Sequence, residues 1–576
     1  MLAKHVHRKW LLVIGIGLFW TTIFGLSQVF FSGYHLRDDH QQIHMYTELV
    51  SGKSISNLSI DYITQDLKTR LRPLMMIELV LRTSIFGVSF LPQFILRCIE
   101  ATLATLLGLK IGRQLGFTWT ESFYAIGLTL IGSSTMIWFL LGIPEALGFL
   151  LFLSAITLML KDASKGHTGS RILSILCLLL ATTTKESFIL VIPAFVIWRW
   201  FGSSYFSNQS LTKSIRRRWP DDAILTLIML SELFWIRNHI HISDLGTYGV
   251  DPIGITHISS YLKSSCQLFF SGGIGIGLGV LLGTTWLYGK KDAPQQKTFP
   301  LYAIVLIACL IIGPQIILYA KSGIFERYLI PARWGAALLL MGCSHYIQNH
   351  YQFPLLTSKK KALWQKIQLA TGTLILAGTF CSLLFKNQLL LLISNMRHSG
   401  INPLWVFKLE GLMWIIGGYA IFLILSGMRL FPAPENRFSQ IWTHGLLPCL
   451  LAYNLMWAFG SARIFAAEGY AIKTMIATYG EIPNKPNHVI VFSDAHNTEA
   501  AFAIKTYLEY IDSSKKNIEI ISVLTEKKAD SIQDTFTFIS LPGDFVAAKK
   551  WLGNSPVISQ TLTDAGYIIS IQDPKQ

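Results

Sequence analysis

Apolar runs long enough to cross a bilayer recur from Trp10 to about Gly460, and this recurrence constrains the chain more than any other feature. A stretch of about 20 apolar residues can satisfy its backbone hydrogen bonds in lipid only as a helix. The sequence predicts about thirteen such helices, at roughly 10–31, 93–113, 121–141, 144–161, 170–184, 186–201, 221–240, 266–288, 299–320, 328–348, 367–386, 404–428 and 440–461. Of the 576 residues, 51% are hydrophobic and only 14% charged, which excludes an ordinary soluble enzyme. The net charge of +16 does not point to nucleic acid. Its basic residues cluster in short loops at every second turn: Lys4/Arg8/Lys9, Lys110/Arg113, Lys161/Lys165/Arg171, Arg216–Arg218, Lys290/Lys291, Lys359–Lys361 and Arg429/Arg437. That spacing puts them on the cytoplasmic side, with the N-terminus inside and the C-terminus outside.

The seven cysteines are scattered and show no CxxC spacing, so neither a zinc site nor a disulfide framework is indicated. The basic N-terminus precedes an apolar run too long for a signal peptide, with no small-residue cleavage site after it. It reads as an uncleaved first helix.

The expected fold is an α-helical polytopic membrane domain, residues 1–462, followed by a small α/β extracytoplasmic domain, 463–576. The first outer loop, 32–92, is expected to hold two interfacial helices. In 40–50, Ile43, Tyr46, Leu49 and Val50 share a helical face before Ser51-Gly52. The stretch 73–91 is apolar but carries Glu78 and Arg82 one turn apart, which are costly in lipid. In the C-terminal part, His488–Ser493, Ile518–Val523, Thr535–Ser540 and Tyr567–Ile571 read as strands, with helices at Glu499–Tyr510 and Phe545–Trp551.

Chemistry-bearing residues concentrate on the outer side of this topology. Gly33–His44 holds adjacent carboxylates, Asp38 and Asp39, where the first helix leaves the membrane. A carboxylate there can take a proton from an acceptor hydroxyl or amine, and the alternative is a solvated or helix-capping pair. His40 and His44 are four apart, with Asp39 close by, and a divalent metal is their alternative use. No cofactor is otherwise implied. Lys185–Glu186, between two apolar runs, suits a phosphate held by the lysine with the glutamate orienting it. Its bland alternative is a turn with two snorkelling charges. Arg327–Tyr328, at the start of a later span, suits a phosphate clamp or an interface anchor. Arg70 and Arg72 open the second interfacial helix, and Glu145 follows Pro144 at the outer end of its span.

In this order, the outer Asp-Asp loop, Arg70-Leu-Arg72-Pro-Leu, Lys185-Glu-Ser and Glu326-Arg-Tyr-x-x-Pro331 resemble the GT-C glycosyltransferases, nearest to the protein O-mannosyltransferase and lipid A aminoarabinose transferase type. The motifs cover residues 1 to about 345. The resemblance implies an inverting transferase whose donor is a polyprenyl-phosphate-linked sugar and whose acceptor is a cell-envelope glycan, lipid or protein. It implies Asp38 as the catalytic carboxylate, with Asp39 its neighbour or substitute. Lys185 and Arg327 would contact the donor phosphate. Arg70 or Arg72 would lie near the donor or acceptor path, with Arg72 taken as a phosphate contact. Glu145, Glu186 and Tyr328 would support. One departure is His40, where the family often has tyrosine after the acidic pair. The rival readings are a lipid-linked glycan transporter, an O-antigen-type polymerase or ligase, and a non-catalytic scaffold.

Overall fold

The structure is a computed structural model. It describes residues 2–35, 39–239, 258–290, 299–319, 326–355, 357–384, 416, 419, 423, 436–483, 485–493, 498–511, 517–522, 532, 534–541, 545–552, 557–563 and 567–572. Of the expected span 404–428 only residues 416, 419 and 423 are in this set, and Asp38 lies outside it. The other expected spans fall mainly on helix, except that 121–141 breaks after Leu130 and ends in irregular backbone at 139–141.

Helices α1 (Leu2–Leu26), α2 (Val29–Ser32), α3 (His40–Val50), α4 (Ile55–Asp66), α5 (Pro73–Phe86), α6 (Phe90–Gln114) and α7 (Trp119–Leu130) open the chain. A 3-10 turn, Ser133–Trp138, leads to α8 (Glu145–Lys165) and α9 (Thr168–Thr182). A second 3-10 turn, Glu186–Val191, runs into α10 (Ile192–Ser207), followed by α11 (Leu211–His239), α12 (Ile258–Ser271), α13 (Ile274–Tyr288) and α14 (Leu301–Tyr319). A third, Glu326–Leu329, precedes α15 (Ile330–His350) and α16 (Ser358–Leu384). Next come α17 (Arg437–Ile441) and α18 (Leu447–Glu481).

Among the described residues, Glu145–Lys165, Glu186–Ser207, Leu301–Leu318 and Phe438–Glu481 are long and apolar enough to cross a membrane. A fifth span arises if α12 and α13, bent by 71° at their junction, count as one. The expected count of about thirteen is not reached by length and composition, for physical reasons visible in the helices. At 1.5 Å per residue, α7 is about 18 Å long, short of a hydrocarbon core of about 30 Å. Helix α6 carries Arg97, Glu100, Lys110 and Arg113. The membrane character is nevertheless plain on the surface. Trp10, Leu18, Phe31, Leu227, Phe234 and Trp286 are exposed on α1, α2, α11 and α13. Exposed apolar surface of this extent is stable only where lipid is the solvent.

The first loop holds three helices rather than two. Helix α4 lies between the expected pair, started by Ser54, whose side chain accepts from the Asn57 amide at 3.2 Å. The helix expected over 73–91 stops at Gly87, where φ is +57°. That conformation suits glycine, and α6 starts three residues later.

The boundary expected at 462/463 falls inside α18, which runs unbroken to Glu481. Ala462, Ala466, Gly469, Ile472, Met475 and Tyr479 form its buried stripe at helical spacing. After it comes a sheet of β1 (His488–Ser493), β2 (Asn517–Ser522), β3 (Phe536–Ser540), β4 (Val557–Leu562) and β5 (Ile568–Gln572), with α19 (Thr498–Ile511) and α20 (Phe545–Leu552). The strand order is β2-β1-β3-β5-β4. Strand β1 is parallel to both neighbours, and β5 is antiparallel to β3 and β4. Strand β4 was not expected. It is an edge strand with a register irregularity and a polar centre, Ser559-Gln560-Thr561, which masks the apolar signal. One face of the sheet, through α19, joins Ile43 of α3 and Ile472, Met475 and Tyr479 of α18 in a common core.

Candidate functional site

The site is built around the segment between the first 3-10 turn and α8, Phe139-Leu-Leu-Gly-Ile-Pro144. It has no regular hydrogen bonding of its own, so its polar backbone must be satisfied from outside. Asp39 does this from one side. Its Oδ1 accepts from the amides of Leu141 at 3.0 Å and Gly142 at 2.9 Å. Its Oδ2 accepts from the His35 amide at 3.2 Å and meets His35 Nδ1 at 3.1 Å. Two arginines serve the carbonyls. Arg97 donates to Leu141 at 2.9 Å and to Ile143 at 3.2 Å, and Arg82 donates to Leu141. Arg97 is held by Glu100 at 2.7 Å, and Arg82 by Glu78 at 2.8 Å. All of these groups are buried apart from the partly exposed Glu78.

The segment so fixed delivers Glu145 as the first residue of α8. Glu145 is 1% exposed, one oxygen pairs with the Lys185 ammonium, and the other is buried with no hydrogen-bond partner. Lys185 sits in the turn between α9 and the second 3-10 turn. Its Nζ lies 3.8 Å from the centroid of the Tyr328 ring. Arg327 Cζ lies 4.9 Å from the same ring, and its guanidinium donates to the Tyr328 hydroxyl at 3.0 Å. Burial pulls the Lys185 ammonium down to about 8. Glu145 opposes that fall, and Arg327 adds to it. Lys185 is therefore still an ammonium at neutral pH, but one that loses its proton at lower pH than an ordinary lysine.

The turn around Lys185 is tied to the first loop. The Leu71 amide donates to Glu186 Oε1 at 3.0 Å, and the Leu74 amide donates to the Thr183 carbonyl at 3.0 Å. Gln315 of α14 donates to the Ser187 carbonyl at 2.6 Å. Arg70-Leu-Arg72 thereby runs beside the Lys185 turn. Arg72 itself is clamped by Asp66, at 2.5 Å and 3.3 Å, and caps the start of α5. The Asp66 carboxylate thereby fixes the direction of the Arg72 fork. Arg70 is half-buried at the same corner.

Asp39, Glu145, Lys185, Glu186, Arg327, Tyr328, Arg70 and Arg72 thus stand in one connected region, drawn from five separate stretches. His44 Nδ1 lies 2.6 Å from the Tyr62 hydroxyl and 3.0 Å from Glu48, and among the described residues no group of three or more His, Cys, Asp or Glu side chains could hold a metal. Sequence reasoning gave no site role to Arg97, Glu100 or His35. The signal that could have found the first two is their pairing three apart inside an apolar helix, since a membrane helix tolerates such a pair only when it is buried and bonded.

The C-terminal region also reaches the site. The Tyr507 hydroxyl donates to the His35 carbonyl at 2.6 Å. Its ring stacks on Tyr34 at 6.5 Å, and the His35 ring meets Phe465 of α18 edge-on at 5.3 Å. Burial works against a charge on His35, but the Asp39 carboxylate outweighs it, so the imidazole is held above its ordinary range.

No family model matches the chain, and no curated protein matches it. Among solved structures, the crystal structure of ArnT from Cupriavidus metallidurans in the apo state is similar over 98% of this chain and 98% of its own, with a TM-score of 0.45 at 11% identity.

Proposed function

We propose that the protein is a membrane glycosyltransferase that moves a sugar from a polyprenyl-phosphate donor to a cell-envelope glycan, lipid or protein acceptor on the outer face of the membrane. The observation that carries this reading is the buried Lys185, paired with Glu145 and sharing the Tyr328 ring with Arg327. Gathering two cations around one ring has a Coulomb cost that an arriving anion reverses. The sequence motifs that resemble the GT-C enzymes lie on this same cluster and on the turn next to it.

In this mechanism Asp38 takes the proton of the acceptor hydroxyl or amine. The acceptor's electron pair forms the new bond to the anomeric carbon. The bond from that carbon to the phosphate oxygen breaks on the opposite face, so the configuration inverts, and polyprenyl phosphate leaves with the electron pair. Lys185 and Arg327 neutralise the charge growing on the phosphate, which is transition-state stabilisation. Glu145 holds the ammonium in place and yields part of it to the phosphate. Asp39 serves as an anchor rather than a base, because backbone amides and His35 engage both of its oxygens.

The test uses the full-length protein in vesicles with a labelled polyprenyl-phosphate sugar and extracted envelope acceptors. Label transfer by wild type that is lost in Asp38→Asn supports the reading. Normal transfer by Asp38→Asn removes Asp38 as the base. A wild type that transfers no sugar but carries lipid-linked glycan across the bilayer is a transporter instead.

A further inference from the structure

The C-terminal α/β region has no role in the chemistry just described, yet it makes a buried polar contact at the edge of the site. The contact is made to backbone. Tyr507 of α19 donates to the carbonyl of His35, whose own amide donates to Asp39. Asp39 in turn holds the amides of Leu141 and Gly142, two to three residues before Pro144 and Glu145. A line of hydrogen bonds therefore runs from the C-terminal region to the segment that delivers Glu145 to Lys185. The neighbouring packing restrains the same residues. The Tyr34 hydroxyl accepts from Gln93 of α6 at 3.1 Å while its ring stacks on Tyr507. The Tyr46 ring meets Tyr510 edge-on at 6.2 Å. Gly469 of α18 passes so close to the first loop that a Cβ there would stand 2.5 Å from the Ser32 carbonyl oxygen.

We propose that Tyr507 is a positioning residue for the transfer reaction, fixing His35 and Asp39 and, through Asp39, the segment that delivers Glu145 to Lys185. This rests on the glycosyltransferase reading. The physical case is preorganisation. A segment that presents a site residue is held only as well as the side chains that anchor it, and misplacement by about 1 Å can cost about 100-fold in rate. His35 and Asp39 are bonded to each other, but that bond alone lets the pair move as a unit. Tyr507 attaches the pair to the C-terminal α/β layer, and Asp39 attaches it to the 139–144 segment. Burial first, and Asp39 second, push the Tyr507 hydroxyl well above its ordinary range, so it stays a donor throughout the working pH. The C-terminal region thereby gains a function in catalysis without touching substrate.

The experiment compares full-length wild type with Tyr507→Phe, which keeps the ring and removes only the hydroxyl. Steady-state transfer is measured with the same labelled donor, and backbone hydrogen exchange is followed in parallel. The expected result is a fall of about two- to ten-fold in kcat, the range of one net hydrogen bond, with the donor KM unchanged. Exchange rises in 34–44 while β1 keeps its protection. An unchanged kcat in an active protein overturns the proposal, as does a raised KM at constant kcat. Faster exchange in β1 as well as in 34–44 also overturns it, because the contact is then general support of the fold. A wild type that transfers no sugar sinks the glycosyltransferase reading separately, and unchanged exchange in 34–44 still rejects the anchoring on its own.

Discussion

The two ends of α8 are both rich in buried charge, and they use it in opposite ways. At the far end from Glu145, Asp162 binds Arg218. Beside it Arg199 bonds Asp222 at 2.5 Å and Asp221 at 2.6 Å, Asp221 also takes Arg171, and Trp200 donates to Asp222 at 2.7 Å. Charge there is matched side chain to side chain, and four helices are tied together by it. At the Glu145 end, Asp39, Arg82 and Arg97 bond mainly to backbone, and one Glu145 oxygen is left unmatched. A side-chain ion-pair network of this kind stabilises a bundle. An end that spends its charges on backbone holds an irregular segment in one position.

That contrast can be broken by mutation. The largest effect is expected at the proposed base. Asp38→Asn should lower kcat by about 100- to 10,000-fold, the usual worth of a general base, with expression and thermal stability unchanged in a melting assay. Lys185→Ala should lower kcat/KM by about 100- to 1,000-fold, the range for removing one electrostatic stabiliser. At the closed end the signature reverses. Arg199→Met leaves two carboxylates short of a partner and should cost about 3–5 kcal/mol of stability, read as a lower melting temperature or lost expression. The surviving folded protein should turn over at the normal rate. A normal melting temperature for Arg199→Met together with impaired kcat would erase the distinction between the two ends.

The pH dependence sharpens it further. Lys185 binds phosphate as the ammonium, and its pKa in the free protein is lowered to about 8. The protonated fraction is therefore full well below pH 8 and is lost as pH rises through it, so kcat/KM for the donor should fall between about pH 7 and 9. Lys185→Arg keeps its charge over that range and should show a flat limb in the same profile. The smallest effect is expected at the seam with the C-terminal region. Gly469→Ala, whose Cβ would press on the Ser32 backbone, should cost about 1–3 kcal/mol by overpacking, measured by chemical denaturation in detergent.

Much of the architecture was legible because its signals are local. Strand β1 and helix α20 fall where apolar alternation and helical spacing put them, and β4 was missed because an edge strand needs no apolar centre. The site was legible in its residue types and illegible in its pairings. Lys185 stood out as a charge between two apolar runs, but nothing in the sequence said that its partner is Glu145, 40 positions earlier. Asp38 and Asp39 are indistinguishable as neighbours. Only the fold shows that Asp39 is occupied by the amides of Leu141 and Gly142, 102 and 103 residues away.

By itself the sequence determined that this chain is helical, rich in apolar spans and closed by a small α/β layer, since hydropathy and side-chain periodicity act over a few residues. It also determined which rare polar side chains the membrane domain must accommodate. Tertiary structure alone decided what each of them does. Arg72 became a clamp for Asp66, Arg97 and Arg82 became supports for a bare backbone segment, and Asp39 became an anchor for the same segment. A buried charge is tolerated only with a partner, and the chain finds that partner through packing across long sequence distances, which no local pattern encodes.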